Sequence, residues 1–270
     1  MATTKTVSPM AAAATWDTVA ESYAEHVTPV LENYSREAMK LAGLAPASEI
    51  VDVAAGPGTL ALMAAEQGHI VTAIDFSRSM IDRLRAASSA KKIRIDAKVG
   101  DGQALELPAD KFAAAFSMFG LIFFPSRARG FSELYRVLKP GGKAVVGSWA
   151  PMEKLPFMSA VFGSLAELVP ATPPPARVLE TPETCKTEMG MAGFNEVTVE
   201  TATFAFESPS LAEYWAWFPS SCAPLAVLQK QLGPDYTPLM QKLYARVEER
   251  LGKGPLKVEM PALLTVGTKT

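Results

Sequence analysis

Gly56 and Gly58 stand two residues apart where an apolar run, residues 50–54, gives way to an alanine-rich stretch beginning at Thr59. A strand that enters a glycine turn and leaves as a helix does its chemistry with backbone atoms. Glycine lets the chain turn sharply and approach a ligand with no Cβ in the way, and the start of the helix aims unpaired N–H groups at the same spot. Such a turn suits a nucleotide or a carboxylate. Asp75 closes the next apolar run, 69–74, at the point where an acid meets ribose hydroxyls in nucleotide sites. Asp52 lies inside the first run, Gly100-Asp101-Gly102 follows a third, and Arg136-Val137-Leu138-Lys139-Pro140-Gly141-Gly142 precedes a fifth.

The turn also fits the Gly-x-Gly-x-x-Ala form of the dinucleotide fingerprint, as Gly56-Pro57-Gly58-Thr59-Leu60-Ala61, so the turn and Asp75 alone leave a nicotinamide cofactor open. Taken with Asp52, the Asp101 turn and the Lys-Pro-Gly-Gly segment, the pattern resembles the class I S-adenosylmethionine-dependent methyltransferases, and among them the quinone and small-molecule enzymes. The resemblance covers roughly residues 16–207 with the motifs in order, and it says almost nothing about the methyl acceptor. It implies S-adenosyl-L-methionine as cofactor. It also implies that Trp16-Asp17-Thr18-Val19-Ala20-Glu21-Ser22-Tyr23 lies over the cofactor with Tyr23 at its methionine end, that Met80 packs on adenine, and that Asp101 and the Gly102 N–H meet the adenine ring. Ala54, Gly56, Gly58, Asp75, Phe76, Ser117 and Met118 complete the cofactor set that the likeness implies. Relatives often carry histidine at the positions of Ile122 and Phe123, so a histidine base from that loop is absent here, and no catalytic residue is assigned. Plain packing remains the alternative for Trp16, Tyr23 and Met80, as residues of buried helical stripes.

These residues need a scaffold. Apolar runs at 50–54, 69–74, 93–99, 112–118, 143–149, 197–206 and 262–267 predict seven strands, with helices over 59–67, 78–88, 126–138 and 181–193 between them. The expected fold is α/β: a Rossmann-like, seven-stranded, mostly parallel sheet with helices on both faces. One domain over 1–270 accommodates the chain, comprising a tail over 1–15, a helical cap over 16–45, a core over 46–207 and 260–270, and a helical lid over 208–259. In the cap, Pro29 predicts a break between two short helices. Residues 139–142 predict a turn, and 151–175 predict a flap and helix ending in the loop Pro173-Pro174-Pro175. The lid shows helical spacing over 211–218, capped by Ser208 or Ser210, and over 238–251.

The apolar character of two stretches predicts the acceptor site. The loop after the fourth strand carries Phe119, Leu121, Ile122, Phe123 and Phe124, and the lid carries Trp215, Trp217 and Phe218. Together they suit an apolar, aromatic small molecule shut away from water. A net charge of −2 disfavours nucleic acid, whose phosphates call for a basic face. Cys185 and Cys222 are far apart and lack neighbouring histidines, so neither a disulfide framework nor a zinc site is indicated. No run reaches the roughly 18 apolar residues of a membrane span, and the first fifteen residues, with Lys5 their only charge, read as neither a secretory signal nor a transit peptide. A cytoplasmic location is expected, and the oligomeric state is open. A non-catalytic S-adenosylmethionine-binding subunit is the competing reading.

Overall fold

A computed structural model describes residues 8–169 and 178–270. The chain opens with helix α1 (Ala13–Ser22), passes through a π-helical turn (Tyr23–Val27) and continues as α2 (Thr28–Ala42). Strand β1 (Glu49–Val53), α3 (Thr59–Glu66), β2 (Ile70–Asp75), α4 (Arg78–Lys91), β3 (Ile95–Val99) and β4 (Phe112–Met118) then alternate. Next come α5 (Arg127–Val137), β5 (Leu138–Trp149), α6 (Pro156–Leu168), α7 (Pro182–Met191) and β6 (Asn195–Ser208). Helices α8 (Leu211–Ser221), α9 (Ala223–Leu232) and α10 (Tyr236–Leu251) precede the last strand, β7 (Leu256–Thr268).

The sheet runs β3-β2-β1-β4-β5-β7-β6, parallel except for β7, which is antiparallel to both neighbours. A parallel sheet joined by helices is covered on both faces, which explains why β1 and β4 are nearly continuous apolar runs. Alternation along the strands divides the core in two. Val51 and Val53 of β1 pack with Phe131 and Leu134 of α5 and Met189 of α7, whereas Ile50 packs with Ala38 of α2, Leu60 of α3 and Leu84 of α4. A third core lies among α6, α8, α9 and α10, resting on Phe206 of β6 and on Val258 and Met260 of β7.

The strand order switches direction between β1 and β4, so the carboxyl ends of these strands flank the crevice in which open α/β sheets take ligands. Local capping follows the sequence: Ser77 Oγ accepts the Met80 N–H at the start of α4, and Ser210 Oγ accepts the Glu213 N–H at the start of α8.

Several expectations are corrected. Pro29 sits in the first turn of α2, where a missing N–H costs nothing, and the helix axis is interrupted one turn earlier by the π-helical segment. The Lys139–Gly142 segment is no separate turn. It is taken into β5 as a bulge, with Phe112 opposite Leu138 but Ala114 opposite Lys143, and the Gly141 N–H bonded to the Lys269 carbonyl at 2.7 Å. Strands β6 and β7 run further than their apolar cores, pairing from Asn195 with Thr268 out to Ser208 with Leu256. Helix α9 was not expected; its apolar residues bury against α1 as well as α8, so its periodicity is blurred. Of the expected tail, residues 8–15 are folded: Thr15 Oγ1 donates to the Pro9 carbonyl at 2.8 Å and Trp16 Nε1 to the Met10 carbonyl at 2.9 Å. Residues 1–7 and the Pro173–Pro175 loop lie outside the described residues.

Candidate active site

The first turn of the site is built by backbone conformation. After β1, Ala54, Gly56 and Gly58 all adopt positive φ, at 59°, 55° and 97°, which folds the chain back so that α3 starts directly above the strand end. At Gly56 an added Cβ would meet nothing within 4 Å, so this residue faces open space. At Gly58 a Cβ would lie 2.2 Å from Leu84 Cδ1. A side chain at Gly58 would therefore press on Leu84, between α3 and α4.

Asp75, at the end of β2, ties this turn to the next. One carboxylate oxygen accepts the Gly56 N–H and the other the Ser77 N–H, both at 2.8 Å. Burial pushes Asp75 up to about 6, against the opposing pull of these N–H groups, and the Asp17 charge adds to the rise. Asp52, one strand over and 1% exposed, is pushed to about 7 by burial and then by the charge of Asp75. Neither acid has a described cation to offset it, so the region favours a ligand that brings positive charge or hydrogen-bond donors.

Asp17 braces the elements beside the site, a role the sequence did not disclose. Its Oδ1 accepts Ser77 Oγ at 2.6 Å and the Ser79 N–H at 3.0 Å, at the N-terminus of α4. Burial would raise its carboxyl, but these bonds and the charge of Lys230 hold it below the usual value. Lys230 of α9 in turn reaches Thr18 Oγ1 at 2.8 Å. Helix α1 is therefore fastened on one side to α4 and on the other to α9, and it and the π-helical turn after it carry Trp16 and Tyr23 to the cavity.

Beneath this cover lies a cavity of about 420 Å³. Of the expected cofactor residues, Tyr23, Ala54, Gly56, Asp75 and Phe76 line it, as do Met80, Asp101, Gly102 and Met118. The Asp101 carboxylate accepts the Gln103 N–H at 2.8 Å, which holds the loop after β3 in a tight turn. Of the expected acceptor residues, Phe119, Phe123, Trp217 and Phe218 line the same cavity. Phe123 packs against Trp16, with ring centroids 4.9 Å apart.

Four expected residues stand elsewhere. Gly58 packs on Leu84, and Ser117 is buried inside β4 with its hydroxyl unpaired among the described residues. Ile122 packs into the core beneath α5. Trp215 lies edge-on to Tyr244 of α10 at 5.7 Å, on the far side of α8 from the cavity. Helical geometry explains the last case: Trp215 and Trp217 are 200° apart around α8, so one indole faces the cavity and the other faces α10.

The sequence also missed wall residues. Trp149, at the end of β5, stacks on Phe119 with centroids 4.0 Å apart, and Tyr34 wedges edge-on against both. Tyr214, one turn before Trp217 and Phe218, lines the cavity with Phe206 and Met158. The i, i+3, i+4 spacing of Tyr214, Trp217 and Phe218 was the available signal. Neither histidine lines the cavity, although His26 stacks on Trp217 with centroids 5.1 Å apart. Among the described residues, no group of three histidine, cysteine or acidic side chains is placed to hold a metal ion, and no helix is long and apolar enough to cross a membrane.

Comparison with known proteins bears on what such a cavity takes. A family model described as a methyltransferase domain matches residues 50–142. A demethylmenaquinone methyltransferase of Thermus thermophilus is 31% identical over 187 residues, which cover 63% of this chain and 84% of that protein. An uncharacterised protein of Mycobacterium tuberculosis is 33% identical over 108 residues, 40% of this chain, and the match spans only 39% of that relative's length. In fold, the chain is similar to phosphoethanolamine N-methyltransferase 2 of Haemonchus contortus in complex with S-adenosyl-L-methionine, with a TM-score of 0.56 at 18% identity, covering 88% of this chain and 52% of the other. The order of the strands, the glycine turn beside Asp75 and the relationship to the Thermus enzyme lead to one conclusion: the chain belongs to the class I S-adenosylmethionine-dependent methyltransferases.

Proposed function

We propose that the protein moves the methyl group of S-adenosyl-L-methionine onto an apolar, aromatic small molecule. The observation that carries this reading is a single continuous cavity with two unlike ends. One end is polar and made of backbone turns, at Gly56, Asp75, Asp101 and Gly102; the other is walled by Phe119, Trp149, Phe206, Tyr214 and Trp217. The residues present suit the cofactor. Gly56 leaves open space where a Cβ would stand, and buried Asp75 is placed to accept ribose hydroxyls. Asp75, with Asp52 buried one strand over, would make this end of the cavity favour a ligand that carries positive charge. The volume falls within the range of small-molecule sites, about 300–1,000 Å³.

When bound, S-adenosylmethionine supplies a sulfonium methyl whose C–S bond breaks, the electron pair returning to sulfur, as a nucleophilic atom of the acceptor bonds the carbon. The protein's part is to hold both molecules and exclude water. Tyr23 and Met118 also line the cavity and would help align the acceptor with the methyl group. Alignment of this kind can be worth effective molarities of about 10⁵ M or more. The helical stretch of α8 and α9 acts as the lid, with α1 completing it.

No described side chain at the aromatic end is a base: the cavity's acids, Asp75 and Asp101, lie at the cofactor end, and both histidines lie outside. The acceptor therefore supplies its own nucleophile, as an acidic phenol or enol can. The relationship to a demethylmenaquinone methyltransferase supports an acceptor of this kind. Incubation with radiolabelled S-adenosylmethionine and a panel of phenols, quinols and amines tests the proposal. Label should appear in a phenol or quinol. A protein that binds the cofactor but labels no member of the panel would instead be a cofactor-binding subunit.

A further inference from the structure

We infer that Tyr214 is the polar anchor of the acceptor chamber and that its hydroxyl donates a hydrogen bond to an oxygen of an aromatic acceptor. The inference rests on the reading of the aromatic end as the acceptor site, and it narrows the acceptor to oxygen-bearing aromatics.

Tyr214 is 3% exposed and lines the cavity; its hydroxyl has no hydrogen-bond partner among the described residues and is not one of the fully enclosed unpaired polar atoms, so it opens onto the cavity. A hydroxyl that a packed ring presents to a cavity without a protein partner is free to bond a ligand in place of water. The contrast with Tyr34 is direct: that side chain, also buried, gives its hydroxyl to the Met260 carbonyl. The ring of Tyr214 is locked. Phe157, Trp217, Phe218 and Phe206 surround it with centroids 4.7, 4.5, 5.7 and 5.9 Å away, so the hydroxyl is held in one place.

The rest of the chamber indicates which way the bond runs. Ser221 Oγ is already engaged with the Trp217 and Phe218 carbonyls. The Cys222 sulfur takes the Leu225 N–H, and burial pushes its thiol up to about 12, so it stays neutral. The Tyr214 hydroxyl can donate or accept, while the indole N–H groups of Trp149 and Trp217, also without a described partner, can only donate, so the chamber offers more donors than acceptors. Burial raises the Tyr214 hydroxyl far above its ordinary value, which keeps the proton on it and rules it out as a base. A cationic amine would be enclosed at this end with no described acid to pair it, since the cavity's carboxylates Asp75 and Asp101 lie at the other end.

The test uses the full-length protein with S-adenosylhomocysteine bound and four probes sharing one ring system: naphthalene, 2-naphthol, 2-naphthaldehyde and 1-naphthylmethylammonium. Quenching of tryptophan fluorescence reads their affinities. The wild-type protein should prefer 2-naphthol and 2-naphthaldehyde over naphthalene by about tenfold, as expected for one hydrogen bond to an otherwise unpaired buried group. Tyr214→Phe should erase that preference while leaving naphthalene within about twofold, an outcome a purely structural role would not produce. The inference is overturned if the variant weakens all probes alike, if it keeps the preference for the oxygen-bearing probes, or if the wild-type chamber prefers the ammonium probe. Wild-type protein that binds none of the four overturns the apolar-acceptor reading itself, and the anchor with it.

Discussion

The two ends of the cavity are built by different means. At the polar end a handful of backbone atoms within three turns, after β1, β2 and β3, do the work, and their placement depends on local conformation: positive φ at Gly56 and a carboxylate bridging the Gly56 and Ser77 N–H groups. At the aromatic end, rings from the end of β4, the end of β5, β6 and α8 meet across long separations in sequence, with no shared turn. Geometry made by turns tolerates almost no substitution, whereas a wall of packed rings can change one member at a time. The comparison implies that substitutions at the polar end should be all-or-none and those at the aromatic end graded.

The largest expected effect is at Gly58. A side chain there meets Leu84 at 2.2 Å and must adopt a φ of 97°, so Gly58→Val should lower stability by about 3 kcal/mol or more, through overpacking and left-handed strain together. Urea unfolding would show it. A stable Gly58→Val protein that has merely lost cofactor would restore the view that this glycine faces the ligand.

Next comes Asp75→Ala, which removes the proposed acceptor for ribose hydroxyls and frees two backbone N–H groups. With charge-assisted bonds worth about 1.5–3 kcal/mol each, S-adenosylhomocysteine should bind at least about a hundredfold more weakly by calorimetry. Binding of an aromatic probe such as 2-naphthol at the other end should stay within about threefold. Equal losses at both ends would mean that the cavity behaves as one unit.

A smaller contrast separates the two indoles of α8. Trp217→Ala opens the wall and should raise KM for the acceptor about tenfold, while Trp215→Ala, on the α10 side, should change it less than about twofold and act only on stability. Reversed effects would place the lid the other way round.

The smallest effect is electrostatic. Burial raises Asp52 to about 7 and Asp75 to about 6 from an ordinary 3.8, so the folded state holds protons that the unfolded chain has lost. These groups therefore favour folding below about pH 4, and their contribution is lost as pH rises through about 6 to 7. In Asp52→Asn that loss disappears. The melting temperature of the variant relative to wild type, without ligand, should rise between about pH 4 and pH 8, by a few degrees. A difference that is flat with pH would show Asp52 to be ionised and paired.

How much of this was readable in advance follows the same division. The turns at Gly56 and Asp75 and the presence of seven strands were legible, because turn chemistry and strand periodicity are local properties, whereas Asp101 entered through the family likeness. The role of Asp17 was not, since its partners Ser77 and Ser79 lie some sixty residues away and no spacing rule connects them. Trp215 and Trp217 looked equivalent as members of one aromatic cluster, and only the rotation of α8 separates them. Helix α9 escaped notice because it buries more than one face, which erases the amphipathic signal. Trp149 was placed correctly as the end of a strand, but its stacking on Phe119 depends on β4 and β5 ending side by side.

Which end of the cavity holds the cofactor is decided most directly by a crystal structure with S-adenosylhomocysteine and 2-naphthol. The account predicts ribose hydroxyls on Asp75, adenine between Met80 and the Asp101 turn, and the sulfur directed past Tyr23 toward a naphthol ring lying among Phe119, Trp149, Tyr214 and Trp217. A nucleoside seated among those aromatic rings, or a sulfur turned away from them, would contradict it.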